Sequence, residues 1–381
     1  MMKFLSFSTA TVSTAFISLP ASRLSPTHQP IVYSPKYNPP AELWPVNHTF
    51  PMSKFADTAS HLLSILPNLN FIDVNMNLKV PNDLLHEPGY VARLLSGDLT
   101  KQERGKIGFR SDLVEVVLDR TLAEVQGTYL TAELALTYGL ATNVAGGTHH
   151  ARFGGGAGFT ILNDLAITSA KLLQRHDHIN KVLVVDLDVH QGDGTIEIAQ
   201  HLKNEGLEGL YTFDFSCANN YPFDAERKDK GDYSFEFQQG VGDDEYLHTL
   251  ADMLTDCLDE LKPDFILFDA GVDVLESDSL GLLNLTMDGL RRRDFYVIQS
   301  AVERNIPVAC VVGGGYRRVK AKDSEEEINA KRLDLAEAHS VIHLEAAKVW
   351  RGNNMHENNR EKGKGKYGVG QTHSAFHQSS Q

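Results

Sequence analysis

Cysteine is scarce in this 381-residue chain. Cys217, Cys257 and Cys310 are widely spaced and odd in number, which excludes a disulfide framework and a thiolate metal cluster and fits a reducing compartment. Basic charge is also short. The 36 Lys and Arg stand against 50 Asp and Glu, a formal balance of −14, so a basic nucleic-acid-binding domain is excluded as the default. No segment approaches the roughly 18 consecutive apolar residues of a membrane helix; the apolar runs are short and stop at Asp or Gly. No internal repeat is visible. What remains, 42% hydrophobic and 23% charged, is the composition of a soluble globular chain able to bury a large core.

Acidic residues are absent from the start of the chain, the first being Glu42. Residues 1–30 hold ten Ser and Thr with only Lys3 and Arg23 as basic groups. Such a composition predicts an organellar targeting segment, for a plastid or mitochondrion, or else a disordered start with nucleus and cytoplasm open. Residues 351–381 hold almost no aliphatic side chains and are rich in Gly, Asn, Gln and Ser, which predicts a disordered tail. Both ends are net basic, so the acidity belongs to residues 31–350.

Within that span, Lys181–Asp186, Asp264–Ala270 and Val308–Val312 are continuously apolar up to a polar or glycine end, as strands buried on both faces of a parallel sheet require. Tyr246, Leu247, Leu250, Leu254, Leu258 and Leu261 recur at helical spacing until Pro263, and Ile161, Leu165, Leu172 and Leu173 mark another helix. The succession predicts an α/β fold: a single doubly wound domain over 31–350 with a central, mostly parallel sheet flanked by helices.

Chemistry-bearing residues gather where strands end, the place where such sheets bind ligands. The first run leads into Asp186-Leu187-Asp188-Val189-His190-Gln191-Gly192-Asp193-Gly194, the second to Asp273, the third to Gly313-Gly314-Gly315-Tyr316; a loop adds Gly146-Gly147-Thr148-His149-His150. A catalytic zinc needs three protein ligands and an open position, and Asp188, His190 and Asp273 supply a one-His, two-carboxylate set. Alternation along an extended run is expected to put Asp186, Asp188 and His190 on one side. A calcium loop over 186–197 is rejected, because Gln191 stands where a glycine is needed and the segment follows a strand. Asp186 and Asp193 are then free to pair with the adjacent histidines as two His–Asp dyads, suited to activating water near neutral pH. Tyr316, after three glycines that admit close backbone approach, can donate to a developing oxyanion. Gly154–Gly158 does not make a dinucleotide fingerprint.

The motifs GGTHHA (146–151), DLDVHQGDGT (186–195), DAGVDVLESDSLG (269–281) and GGGY (313–316), in this order, resemble the zinc-dependent histone deacetylase family and its arginase–deacetylase fold from about Ile31 to Trp350. IVYSPKYN (31–38) and HTFPMSK (48–54) look closest to class IV deacetylases and their bacterial and plant relatives. The resemblance implies zinc on Asp188, His190 and Asp273. His150 with Asp193 would be general base and acid, and His149 with Asp186 would orient water. Tyr316 would hold the oxyanion. Phe159 and Tyr221 would line an acyl-lysine tunnel, with the Gly158 carbonyl facing the substrate N–H. Asp186 and Thr212 would contribute to a monovalent-cation site, for K+. Asp193 stands where many class IV relatives carry Asn, and the acidic loop residue that clamps substrate in class I has no clear counterpart. The expected activity is zinc-dependent removal of an acyl group, acetyl first, from lysine side chains of histones or other proteins. Deacylation of acetylpolyamines, small amides or long-chain acyl-lysine is the alternative within the fold, and a catalytically silent acyl-lysine-binding scaffold the alternative outside catalysis. Membrane and direct nucleic-acid partners are not expected, and the oligomeric state is not legible.

Overall fold

The computed structural model describes residues 25, 27–66, 68–74, 85–109, 113–223 and 231–365, with side chains to 353. In chain order the regular elements are β1 (Ile31–Val32), α1 (Lys54–Ile65), α2 (Pro88–Ser96), α3 (Lys101–Ile107), α4 (Leu118–Tyr138), β2 (Leu140–Asn143), α5 (Asp164–Arg175), β3 (Val182–Asp186), α6 (Asp193–Asn204), β4 (Leu210–Cys217), β5 (Tyr233–Phe237), α7 (Asp243–Leu261), β6 (Phe265–Asp269), α8 (Met287–Glu303), β7 (Val308–Val311) and α9 (Glu325–Gly365). The seven strands form one sheet in the order β1-β2-β7-β6-β3-β4-β5. Every pairing is parallel.

The expected strands and the doubly wound architecture are present. Every residue of β2, β3, β6 and β7 is buried, the burial on both faces that an uninterrupted apolar run predicts. β5 is an edge strand, and its exposed Ser234, Phe235 and Glu236 mark the side where the sheet ends. Helices α4, α5 and α6 pack against one another in series, and α1, α9, α8 and α7 form a second series.

Local chemistry sets the helix limits. α7 opens on Asp243, Asp244 and Glu245, favourable at the positive end of the helix, and stops at Lys262 in the left-handed region before Pro263. α5 begins later than its apolar spacing suggested: Ile161 precedes the helix, because the Asn163 side chain accepts from Ala166 N (2.9 Å) and caps it there. At the chain ends, the targeting segment expected over 1–30 lies mostly outside the described residues. His28 and Gln29, within that span, are buried, and Gln29 Nε2 donates to Thr142 Oγ1 of β2 (3.1 Å). Where a tail was expected from 351, α9 continues to Gly365, and residues 366–381 lie outside the described residues.

The sheet order locates the functional end. From β3 the chain winds outward through β4 and β5, then returns to place β6 on the other side of β3 and β7 beyond it. The winding therefore reverses between β3 and β6, and a crevice opens past the carboxyl ends of those two strands.

Candidate active site

β3 ends at Asp186, in register with Asp214 of β4 and Asp269 of β6, so three carboxyl groups stand abreast. Beyond Asp186 the chain bends rather than staying extended, which corrects the expectation of alternation. Hydrogen bonds turn it instead: Asp188 N to Asp186 Oδ1 (3.2 Å), His190 N to Asp188 Oδ1 (2.9 Å) and Val189 N to Asp273 Oδ1 (2.9 Å).

Those bends bring Asp188, His190 and Asp273 together with one donor atom each inside a 4.8 Å cluster, all buried. His190 Nδ1 lies 2.9 Å from Asp188 Oδ1 and 3.2 Å from Asp273 Oδ2. Burial and the Asp188 charge lift the Asp273 carboxyl to about 7. Two features suit this cluster to a cation. Asp273 Oδ2 is buried with no polar contact among the described residues but the His190 ring nitrogen at 3.2 Å, which already donates to Asp188. A Cβ on Gly314 would stand 2.3 Å from that oxygen and 2.5 Å from Asp188 Oδ2, so only glycine leaves the carboxylate edge open. One imidazole and two carboxylates form a donor set that zinc accepts, and the residues present fit the ion.

The two histidines reach the same place from the loop after β2. His149 Nδ1 donates to Asp186 Oδ2 (2.8 Å), and His150 Nδ1 donates to Asp193 Oδ1 (2.7 Å) at the start of α6. Their environments push them apart. Burial pulls His149 down, but the charges of Asp186 and Asp188 outweigh it and hold the ring well above the ordinary histidine range. Burial and the neighbouring His149 charge bring His150 down to about 4, against its bond to Asp193. The two rings are thus driven in opposite directions, with centroids 4.1 Å apart. Asp193 is held by a second donor, Arg152 Nη1 at 3.0 Å, whose guanidinium also pairs with Glu197.

Tyr316 is buried with its ring centroid 6.3 Å from that of His190. Burial and the Asp188 charge hold its phenol well above the ordinary range, so it stays a proton donor. Its backbone N donates to Asp278 Oδ2 (2.7 Å), and Asp278 also takes Arg317 Nη1 (3.3 Å). Phe159 stands 6.3 Å from the Tyr316 ring, and Tyr221 packs edge-on against His150 at 4.7 Å. Gly158 sits under His150: a Cβ there would meet His150 Cδ2 at 2.5 Å. A cavity of about 30 Å³ is lined by His149, His150, Gly158, Phe159, Asp188 and Tyr316, among others, whereas Tyr221 borders the histidines outside that lining.

Thr212 is not brought to Asp186. It is in register with Val184, and its N and Oγ1 point to Asp232 Oδ2 (3.0 and 3.4 Å). The strand neighbour of Asp186 is Asp214, so the proposed Asp186–Thr212 pairing is corrected.

Several groups at the site carried no signal that sequence reasoning used. Asp164, first residue of α5, takes Gly147 N, Thr148 N, Thr148 Oγ1 and Thr128 Oγ1 at 2.6–3.1 Å and so pins the loop carrying the histidines. The Asn163-Asp164 pair opening a helix was the available clue. Lys54 is buried and donates to Gly313 O (2.8 Å), and burial lowers its ammonium to about 8. The buried pair Arg120–Glu124 (2.6 Å) shares the cavity wall with it. Lys54 and Gly313 are far from one another in sequence, which no local pattern reveals, whereas Arg120 and Glu124 stand at i, i+4 spacing on α4. A larger, mainly apolar cavity of about 270 Å³ lies on the other side of Phe50 and Lys54, which line both. It contains none of the clustered carboxylates or histidines, so the chemistry belongs to the smaller one.

Comparison with known proteins agrees with this geometry. Residues 52–365 match the Histone deacetylase domain. The chain is 40% identical over 324 residues to an uncharacterized protein of Picosynechococcus sp., covering 84% of this chain and 99% of that one. It is 29% identical over 331 residues to Histone deacetylase 2 of Arabidopsis thaliana, covering 84% of this chain and 82% of the relative. Against Histone deacetylase 8 of Xenopus laevis it is 29% identical over 220 residues, 55% of this chain and 64% of that protein. With the seven-stranded parallel sheet and the strand-end cluster already described, the chain has the arginase–deacetylase fold and belongs to the histone deacetylase family of hydrolases.

Proposed function

We propose that this protein is a zinc-dependent deacylase that removes acyl groups, acetyl first, from lysine side chains of proteins. The observation that carries the reading is the convergence of His150, His149 and Tyr316 on the buried Asp188–His190–Asp273 cluster. Zinc held by those three residues supplies Lewis acidity, polarising a carbonyl and bringing the pKa of water to about 7. The chain's own groups do the rest. His150, kept neutral by burial and by the adjacent cationic His149, takes a proton at Nε2 from the water that adds to the acyl carbon, while Asp193 holds the Nδ1 proton in place. The same imidazole returns that proton to the departing lysine amine. His149 remains charged against Asp186 and offsets negative charge that develops beside it. Tyr316 donates its hydroxyl to the carbonyl oxygen as that oxygen becomes an oxyanion. Phe159 and Tyr221 flank the aliphatic stem, and the Gly158 carbonyl accepts from the substrate N–H. Class IV deacetylases are the relatives this reading places nearest.

The test is a panel of acetylated peptide, acetylpolyamine and long-chain acyl peptide, with metal content measured on the same sample. Turnover of acetyl-lysine peptide by protein carrying one zinc per chain is expected. Zinc-loaded protein that binds acyl-lysine peptide but turns over no member of the panel would instead be a silent scaffold. A second reading, preference for a longer acyl chain, draws support from the 270 Å³ apolar cavity behind Phe50 and Lys54, and the panel's third member separates it. For residues 1–24, outside the described residues, we propose an organellar address; a reporter fused to residues 1–40 that stays in nucleus and cytoplasm counts against it.

A further inference from the structure

Arg293 of α8 is the largest side chain buried at the 0% level, and the chemistry above leaves it unused. In sequence it closes the run Arg291-Arg292-Arg293, whose first two members are exposed. Its Nε donates to Asp294 Oδ1 (2.8 Å), a buried counter-ion on the same helix. Its Nη1 reaches two carbonyls on different strand ends: Leu187 O at 3.0 Å and Gly271 O at 2.7 Å. Leu187 immediately precedes Asp188, and Gly271 lies two residues before Asp273.

The position of those carbonyls matters. Leu187 N donates to Asp269 O (3.1 Å), the last backbone bond by which the β3 strand end is tied to β6. Past it Asp188 and Asp273 must still keep their donor atoms within 4.8 Å. The two segments touch there, since a Cβ on Gly271 would stand 2.8 Å from Asp188 Cα. Arg293 Nη1, donating to both carbonyls, ties these segments where the ladder does not. Burying a guanidinium is unfavourable unless it is paired, as it is here with Asp294, and a packed apolar side chain would fill the same volume without that cost.

We infer that Arg293 is a positioning residue for the metal centre: it fixes the spacing of the Asp188–His190 and Asp273 segments and thereby sets the affinity and coordination geometry of the ion. The inference rests on the reading that Asp188, His190 and Asp273 hold a divalent metal. Its test uses the full chain, stripped of metal and titrated with cobalt(II), whose visible absorption reports coordination, and with zinc against a chromophoric chelator. Arg293→Met combined with Asp294→Leu removes both charges together and leaves an apolar, filled core. The zinc Kd of this double variant should rise about tenfold or more, the usual effect of losing a group that orients ligands. Its cobalt spectrum should change, and kcat should fall while KM stays near wild type. Arg293→Lys, which keeps the charge but cannot hold Asp294 and both carbonyls from separate nitrogens, should fall between. A double variant that melts like wild type with unchanged Kd and cobalt spectrum overturns the inference, leaving Arg293 as core filling; a change in either supports it. Should the double variant not fold, Arg293→Lys is judged by the same two readouts. Wild-type protein that binds no metal sinks the metal reading and this inference with it, whereas wild type binding one equivalent beside an unchanged variant sinks this inference alone.

Discussion

A phenol held above its ordinary pKa by burial and by the Asp188 charge keeps a proton to donate, and that is what Tyr316 contributes. Tyr316→Phe keeps the ring, its packing beside Phe159 and the Asp278 bond to the backbone, and deletes one hydroxyl. We predict a fall in kcat of about 100-fold or more, the usual loss for one oxyanion donor, with zinc content unchanged. Metal analysis and steady-state kinetics on the same preparation check it, and near-wild-type kcat with zinc bound would remove Tyr316 from the oxyanion role. The histidines divide the remaining labour by environment: two adjacent side chains of one type are driven in opposite directions because one faces two carboxylates and the other faces its charged neighbour. Composition records both as His; only the carboxylates opposite each ring distinguish them.

Helix α5 acts on the site through its first turn. Asp164 takes four donors from the histidine loop and α4, so Asp164→Ala strands buried N–H and O–H groups at roughly 1–3 kcal/mol each. A loss of several kcal/mol in urea unfolding is expected, with lowered kcat in the folded fraction; full activity at reduced stability would show that the loop holds its geometry without the staple. The preceding residue ties the same helix to pH. His86 Nε2 accepts from Asn163 N (2.9 Å), so its ring is needed neutral, and burial lowers its pKa to about 4. An unfolded histidine binds its proton near 6.5, so as pH falls from about 6.5 toward 4 the unfolded chain takes up a proton that the folded chain refuses. Stability from this group is complete above that window and declines through it, by about 2 kcal/mol at pH 5. His86→Gln should therefore be less stable than wild type at pH 7, with the gap narrowing toward pH 5; parallel stability curves would contradict the linkage. None of this was legible in the chain alone. Strands β3, β6 and β7 were readable because burial on both faces leaves an uninterrupted apolar run, and α7 because its apolar spacing ends at Pro263. The dyad carboxylates and cluster residues stood out because strand ends concentrate them in short motifs. Asp164, His86, Lys54 and Arg293 act across 16 to 259 residues of separation, where no local period exists, and the Thr212 assignment failed because strand register, set by pairing, placed Asp214 beside Asp186 instead.

The net charge of −14 gains a location from the fold. A share of the acidic excess is internal: Asp186, Asp188, Asp214, Asp269 and Asp273 are buried at the strand ends, where His149 opposes them and the proposed divalent ion would do the same. Burial also raises Asp214 and Asp269 well above the usual carboxylate range. The field that an approaching substrate meets is therefore weaker than the formal balance suggests, yet still negative, because exposed acids such as Asp244 and Glu245 at the start of α7 have no basic cluster beside them in sequence. Such a surface attracts lysine-rich chains over a distance that salt shortens to about 10 Å at 0.1 M. We predict that kcat/KM for a Lys- and Arg-rich acetylated peptide falls by a few-fold between about 50 mM and about 500 mM salt, the change residing in KM, while an uncharged acetyl-lysine amide of the same acyl group responds little. The comparison is made at one pH with both substrates in the same series. An equal response of the two would assign the salt effect to the catalytic centre rather than to attraction between an acidic enzyme and a basic chain.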